Sequence, residues 1–195
     1  MEHASTPQNE NAKHHSEANP ALRRGFLVRR FTRNRSGATV IEFAFIGPLF
    51  FGLLFGILET GLLYLKTTAI DAGVEEAKRV VMTGQVLAAG TPSQQLSKFK
   101  VAFCDQAGWI IPCGDVKFDV RAFTSFASAS MPNPVVGGVF NSGGMQFNPG
   151  TPNQIVVIRA YYESTSITAM IRYDVANLTN GNVLLAGSAA FKNEP

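Results

Sequence analysis

From Gly37 to Leu65 the chain carries no Lys or Arg, and between Val40 and Leu65 its only charges are Glu42 and Glu59. A helix over those 26 residues is about 39 Å long at ~1.5 Å per residue, enough to cross a hydrocarbon core of ~30 Å with some tilt. A core helix of a soluble domain shows one apolar stripe, whereas here apolar side chains fall on every face. The spacing therefore predicts a single membrane span over residues 38–65. The whole chain is charge-poor for its 195 residues, with 16% charged residues against about 25% in ordinary soluble domains.

Charge divides along the chain. Residues 1–37 hold seven basic residues (Lys13, Arg23, Arg24, Arg29, Arg30, Arg33, Arg35) and three acids (Glu2, Glu10, Glu17). The other ten basic and eleven acidic residues nearly cancel, so no basic domain surface is available and nucleic-acid binding is not expected. Basic residues crowd the N-terminal flank of the run and Lys66 alone follows it. The positive-inside rule then puts residues 1–37 in the cytoplasm and the remainder of the chain across the membrane. The run is too long for the apolar core of a cleaved secretory signal, and no small-x-small cleavage site follows it. Arg23-Arg24-Gly25-Phe26-Leu27 looks like a twin-arginine export core, but a second basic cluster separates it from the apolar run.

The junction reads Arg33-Asn34-Arg35-Ser36-Gly37-Ala38-Thr39-Val40-Ile41-Glu42-Phe43. A small residue closes the basic segment, and a glutamate stands five positions beyond it. Pro48 follows within the run, and Glu59-Thr60-Gly61 lies near its far end. The chain ends Phe191-Lys192-Asn193-Glu194-Pro195. The junction resembles the type IV prepilin processing pattern. Together these residues resemble the TadE-like proteins of the tight-adherence (Tad/Flp) pilus system, strongly over 36–80 and again at the C-terminus. Phe43 departs from the Tyr of the major pilins of that system, and the 37-residue leader is long. The resemblance implies cutting between Gly37 and Ala38 by a prepilin peptidase, with Glu42 as an assembly carboxylate. Such a cut frees an amine with an ordinary pKa near ~7.7–8.0 at the membrane rim, where a carboxylate is a fitting partner.

Within the run, Pro48 is expected to kink the helix or to rely on a neighbour to repair its lost hydrogen bond. Gly52-x-x-x-Gly56 is a pattern that lets helices approach closely. Glu59, a second membrane carboxylate near the far interface, is expected in water rather than in a buried contact.

Beyond the membrane the expected class is α+β, pilin-like. The apolar helix continues as an amphipathic extension over 66–90, because Ile70, Val74, Ala77 and Val81 share one face; Gly84 could end or bend it. The remaining domain spans 91–195. Thr91-Pro92-Ser93-Gln94 reads as a fresh helix start with a capping box, and Leu96, Phe99 and Phe103 give that helix an apolar face. Val116, Phe118, Val120 and Ala122 alternate as a strand. Ile155–Tyr162 reads as a central strand, with Ser166–Tyr173 and Val183–Phe191 as weaker ones. Together they predict a small antiparallel sheet on the helix. Residues 131–154, rich in Gly, Pro, Asn and Ser, read as a long mobile loop.

Cys104 and Cys113 are the only cysteines. In an oxidising compartment they are expected to form a disulfide around Trp109, itself expected as a loop anchor. Catalysis finds little support. All three histidines lie within the first 15 residues, so neither an imidazole base nor a metal site is expected beyond them. Asp115 and Asp119 read as a surface carboxylate pair, and the sequon Asn177-Leu178-Thr179 as a chance match. No catalytic residue, metal or cofactor is expected. The resemblance implies a minor pilin (pseudopilin) in the bacterial inner membrane. Its partners would be the membrane, other pilin subunits, the Tad secretion machinery and the prepilin peptidase. The rivals are an uncleaved bitopic assembly or scaffold protein and, less favoured, a membrane-anchored enzyme.

Overall fold

The computed structural model describes residues 37–166 and 177–194. The basic tail, the twin-arginine look-alike, most of the Ser166–Tyr173 strand and Pro195 lie outside them. The chain divides into two compact units, Met1–Phe51 and Gly52–Pro195.

The described part of the first unit is the start of helix α1, Ala38–Met82, which contains Pro48. Its side chains are those of a helix in an apolar solvent: Val40, Phe43, Phe45, Ile46 and Leu49 are all exposed. Such a display in water would forfeit roughly 1.5–3 kcal/mol per side chain. Helix α1 is long and apolar enough to cross a membrane.

In the second unit α1 becomes amphipathic. Ile70, Val74, Ala77 and Val81 are fully buried, as their spacing predicts, and Leu63 packs against the same core. Helix α1 ends at Met82, short of the expected residue 90. The reason is local: Gly84 adopts a left-handed φ of 72°, and Gly84 N–H donates to Val81 O at 3.0 Å. A short 3-10 turn, Leu87–Ala89, then leads to helix α2, Pro92–Ala107. Its start is the one read from sequence, with Thr91 as N-cap, Pro92 in the first turn and a closed capping box with Gln94. Phe99 and Phe103 are fully buried on its inner face.

Strands β1 (Lys117–Phe123), β4 (Ile155–Ser164) and β5 (Val183–Lys192) form an antiparallel sheet in the order β1-β4-β5. The long β-branched strand is central, as its composition predicts. Cross-strand rows Val120, Ile158, Ala189 and Ala122, Val156, Phe191 set the inner face, where Phe118 packs edge-on against Phe99 and Phe103. Segment 131–154 carries more structure than the expected loop. Strands β2 (Val135–Val136) and β3 (Val139–Phe140) form a hairpin turned by Gly137 and Gly138, both at positive φ. Phe140 and Met145 pack on Tyr161 and Leu184 of the outer sheet face. Further on, Val120 N–H donates to Gln146 O and Asn148 N–H to Val120 O, so this segment covers the edge of β1.

Candidate functional site

The residues singled out in the sequence fall on both units. In the first unit Gly37 immediately precedes α1; it is exposed, and nothing stands within 4 Å of where a Cβ would lie. Gly37 is itself in a 3-10 conformation, and the α-helix opens on Ala38. Glu42 is exposed on the second turn of α1. A helix N-terminus leaves backbone N–H groups unsatisfied and carries partial positive charge. That charge falls off within the first turn, and Glu42 stands just beyond it. Gly47 is buried on the same helix by the Phe43 ring, whose Cε1 lies 3.4 Å from where a Cβ would stand. Pro48 is accommodated inside the helix.

In the second unit Glu59 is half-buried, and the Ser166 hydroxyl donates to its Oε1 at 2.8 Å. The expected solvated carboxylate therefore has a protein contact, supplied by the chain that leaves β4. Two helical turns further on, Lys66 Nζ donates to Ser164 Oγ at 2.9 Å and stands 5.7 Å from the centre of the Tyr162 ring. Ser164 is fully buried. Burial pushes the Tyr162 phenol above its ordinary pKa of 10.0, and the Asp115 carboxylate adds to the rise. The end of β4 is thus clamped along the very stretch of α1 where the apolar run gives way to polar residues.

The two cysteines are joined, Cys104 to Cys113, with Cα atoms 6.0 Å apart. The loop they close is pinned by Ile111, which is buried, and by the N–H groups of Ile110 and Ile111, which both donate to Ala107 O. Trp109 is not the anchor expected of it: Ile111 takes that place, and Trp109 is 67% exposed.

Asp115 and Asp119 are not a surface pair. Asp119 is buried; its Oδ1 accepts from Arg121 Nε at 2.8 Å and from Gln146 N–H at 3.0 Å. Arg121 in turn donates through Nη2 to Gly144 O at 2.7 Å. Strand alternation alone places Asp119 outward, and the covering segment, some 25 residues later, leaves no local sign of itself. The sequon Asn177 also has structural work. Its side-chain amide donates to Leu184 O at 3.1 Å and accepts from Leu184 N–H at 2.7 Å, so it acts as one rung of a strand beside β5. Sequence reasoning gives no role to the side chains of Ser164 and Ser166, and names Asn193 only within the C-terminal ending. Asn193 is buried, donating from Nδ2 to Pro149 O and Thr151 O, 3.0 and 3.3 Å away. Among the described residues no group of three or more His, Cys, Asp or Glu is placed to hold a metal ion.

The model of the TadE-like protein family matches residues 37–79. That span opens on Gly37 and takes in Ala38, Glu42, Pro48 and Glu59; the C-terminal ending, on which the resemblance also rests, lies outside it. No curated protein and no solved structure matches the chain.

Proposed function

Because the stretch 37–79 is the one that matches the TadE-like family, we propose that this protein is a minor pilin, or pseudopilin, that acts in assembly of a Tad-type pilus. In this reading it spans the bacterial inner membrane once, with residues 1–37 in the cytoplasm and the disulfide-closed domain on the periplasmic side. A prepilin peptidase cuts between Gly37 and Ala38. The observation that carries the proposal is that three boundaries fall within four residues. The basic segment ends at Arg35, the family match opens on Gly37 and helix α1 opens on Ala38. An exposed glycine just ahead of a helix offers a peptidase an accessible bond, and cutting there leaves the helix whole. The new amine then sits at the helix N-terminus, where its charge is disfavoured by the helix dipole. Glu42, from the same or a neighbouring subunit, offsets that charge in a setting where an unpaired ion is costly.

The work of such a protein is packing rather than turnover. Its exposed apolar helix offers lipid or other pilin helices a continuous surface, and no catalytic residue or cofactor is assigned. Glu42→Ala tests the proposal. The variant is expected to be cut normally by the peptidase yet to lower the number of surface pili when it replaces the native chain. Normal piliation with the variant would remove Glu42 from the assembly mechanism. Glu42→Asp, which keeps the charge one carbon short, is expected to recover part of the loss.

A further inference from the structure

We propose that Trp109 is a lipid anchor: the loop closed by Cys104 and Cys113 seats the outer domain on the membrane surface by placing this indole at the headgroup level. The inference rests on the membrane span of the preceding reading, though not on its pilus role. Helix α2 follows the turn after Met82 and meets α1 where a Cβ on Gly73 would stand 2.7 Å from the Phe103 ring. It ends at Ala107, and Trp109 stands in the turn that follows.

The sheet gives the level of the loop. Lys66, next to Leu65 where the apolar run of α1 ends, reaches Ser164 and the Tyr162 ring, and Lys117, four residues past Cys113, pairs with Tyr161. Cys113 and, through the disulfide, Cys104 therefore lie at the membrane-facing end of the domain. The loop is also built to present its indole. The disulfide, the buried Ile111 and the two bonds to Ala107 O hold the backbone, yet Trp109 is left 67% exposed. A rigidly displayed tryptophan suits an interface that is apolar on one side and wet on the other. Tyr64, 75% exposed on α1, stands in the same belt. The occupant is therefore the lipid surface itself.

Trp109 is the only tryptophan of the chain, so its own fluorescence is the readout. The full chain is reconstituted in vesicles of phosphatidylethanolamine and phosphatidylglycerol, with and without lipids brominated near the headgroup end of the acyl chain. The expected result is blue-shifted emission and a loss of about half the intensity with brominated lipid, as for indoles of interfacial aromatic belts. Emission of a water-exposed indole, quenched by acrylamide and indifferent to bromine, overturns the inference. A blue shift without bromine quenching does so too, since it signals burial against protein. Alkaline carbonate extraction of the same vesicles separates the two claims. A chain that resists extraction while Trp109 stays in water removes the anchor alone. A chain that is extracted removes the span and the anchor together.

Discussion

Gly73 of helix α1 lies so close to Phe103 of helix α2 that a Cβ would stand 2.7 Å from the ring and 2.9 Å from the Phe103 carbonyl oxygen. A glycine in the middle of a long helix costs roughly 1 kcal/mol against alanine, so its presence at this contact is an exchange of helix propensity for approach distance. Gly73→Ala is expected to lower stability by about 1–3 kcal/mol despite the better propensity, because two packed helices must part. Denaturant unfolding of the detergent-solubilised chain checks it. A more stable variant would mean that the helices separate at no cost.

Asp119 ties β1 to the segment that covers it. Asp119→Ala leaves Arg121 Nε and the Gln146 N–H without their acceptor, at an expected cost of about 2–4 kcal/mol. Hydrogen exchange distinguishes this from a general loss. The amides of Gln146 and Asn148 are expected to lose protection while those of β4 keep it. Equal loss across the sheet would show that the covering segment has no separate stability.

Replacing both cysteines by serine opens a ring whose ends are nine residues apart, which chain entropy values at about 2–3 kcal/mol. Ile111 and the bonds to Ala107 remain, so the domain is expected to fold with a lowered unfolding midpoint and a more mobile Trp109. Fluorescence anisotropy of the sole tryptophan reads the second effect. Unchanged anisotropy would show that the ring is held without the disulfide.

Two groups set opposite pH limits. Hydrogen bonds from Asn182 and Asn180 hold the Glu163 carboxyl below its ordinary 4.5, so its contribution to stability is present above pH 4.5 and fades as pH falls through its lowered folded value. The Tyr162 phenol is raised above 10.0, so its contribution is present below pH 10 and is lost as pH rises through the folded value. Melting temperatures across the pH range are expected to drop at both ends. Glu163→Gln should flatten the acid side and Tyr162→Phe the alkaline side. A limb that survives its substitution belongs to other groups.

Local signals in the sequence were read well where local physics decides. The capping box at Thr91 and Gln94 and the buried face of Ile70, Val74, Ala77 and Val81 follow from spacing within a turn or two. The central place of Ile155–Ser164 follows from a β-branched run. What escaped depends on partners far along the chain. Glu59 meets Ser166, 107 residues later, and Asp119 meets the backbone of Gln146, 27 residues later. No periodicity reports such distances. Trp109 was misread because the loop has two candidates for its anchor, and nothing in the pattern says that Ile111 turns inward instead. The hairpin at 135–140 has strands of two residues each, too short to alternate visibly, although its Gly-Gly turn stood in the sequence. Gly37 stands out in the sequence for a different reason: its signal is a junction of charge and hydropathy, which needs no tertiary contact.

The central claim is that Gly37-Ala38 is a processing boundary, and the N-terminal residue of the protein in native membranes tests it most directly. Intact mass and N-terminal sequence are measured from cells with and without the prepilin peptidase. The account predicts a chain beginning at Ala38 when the peptidase is present and the full leader when it is absent. A full-length chain in both would contradict it, leaving Glu42 without a subunit amine to meet.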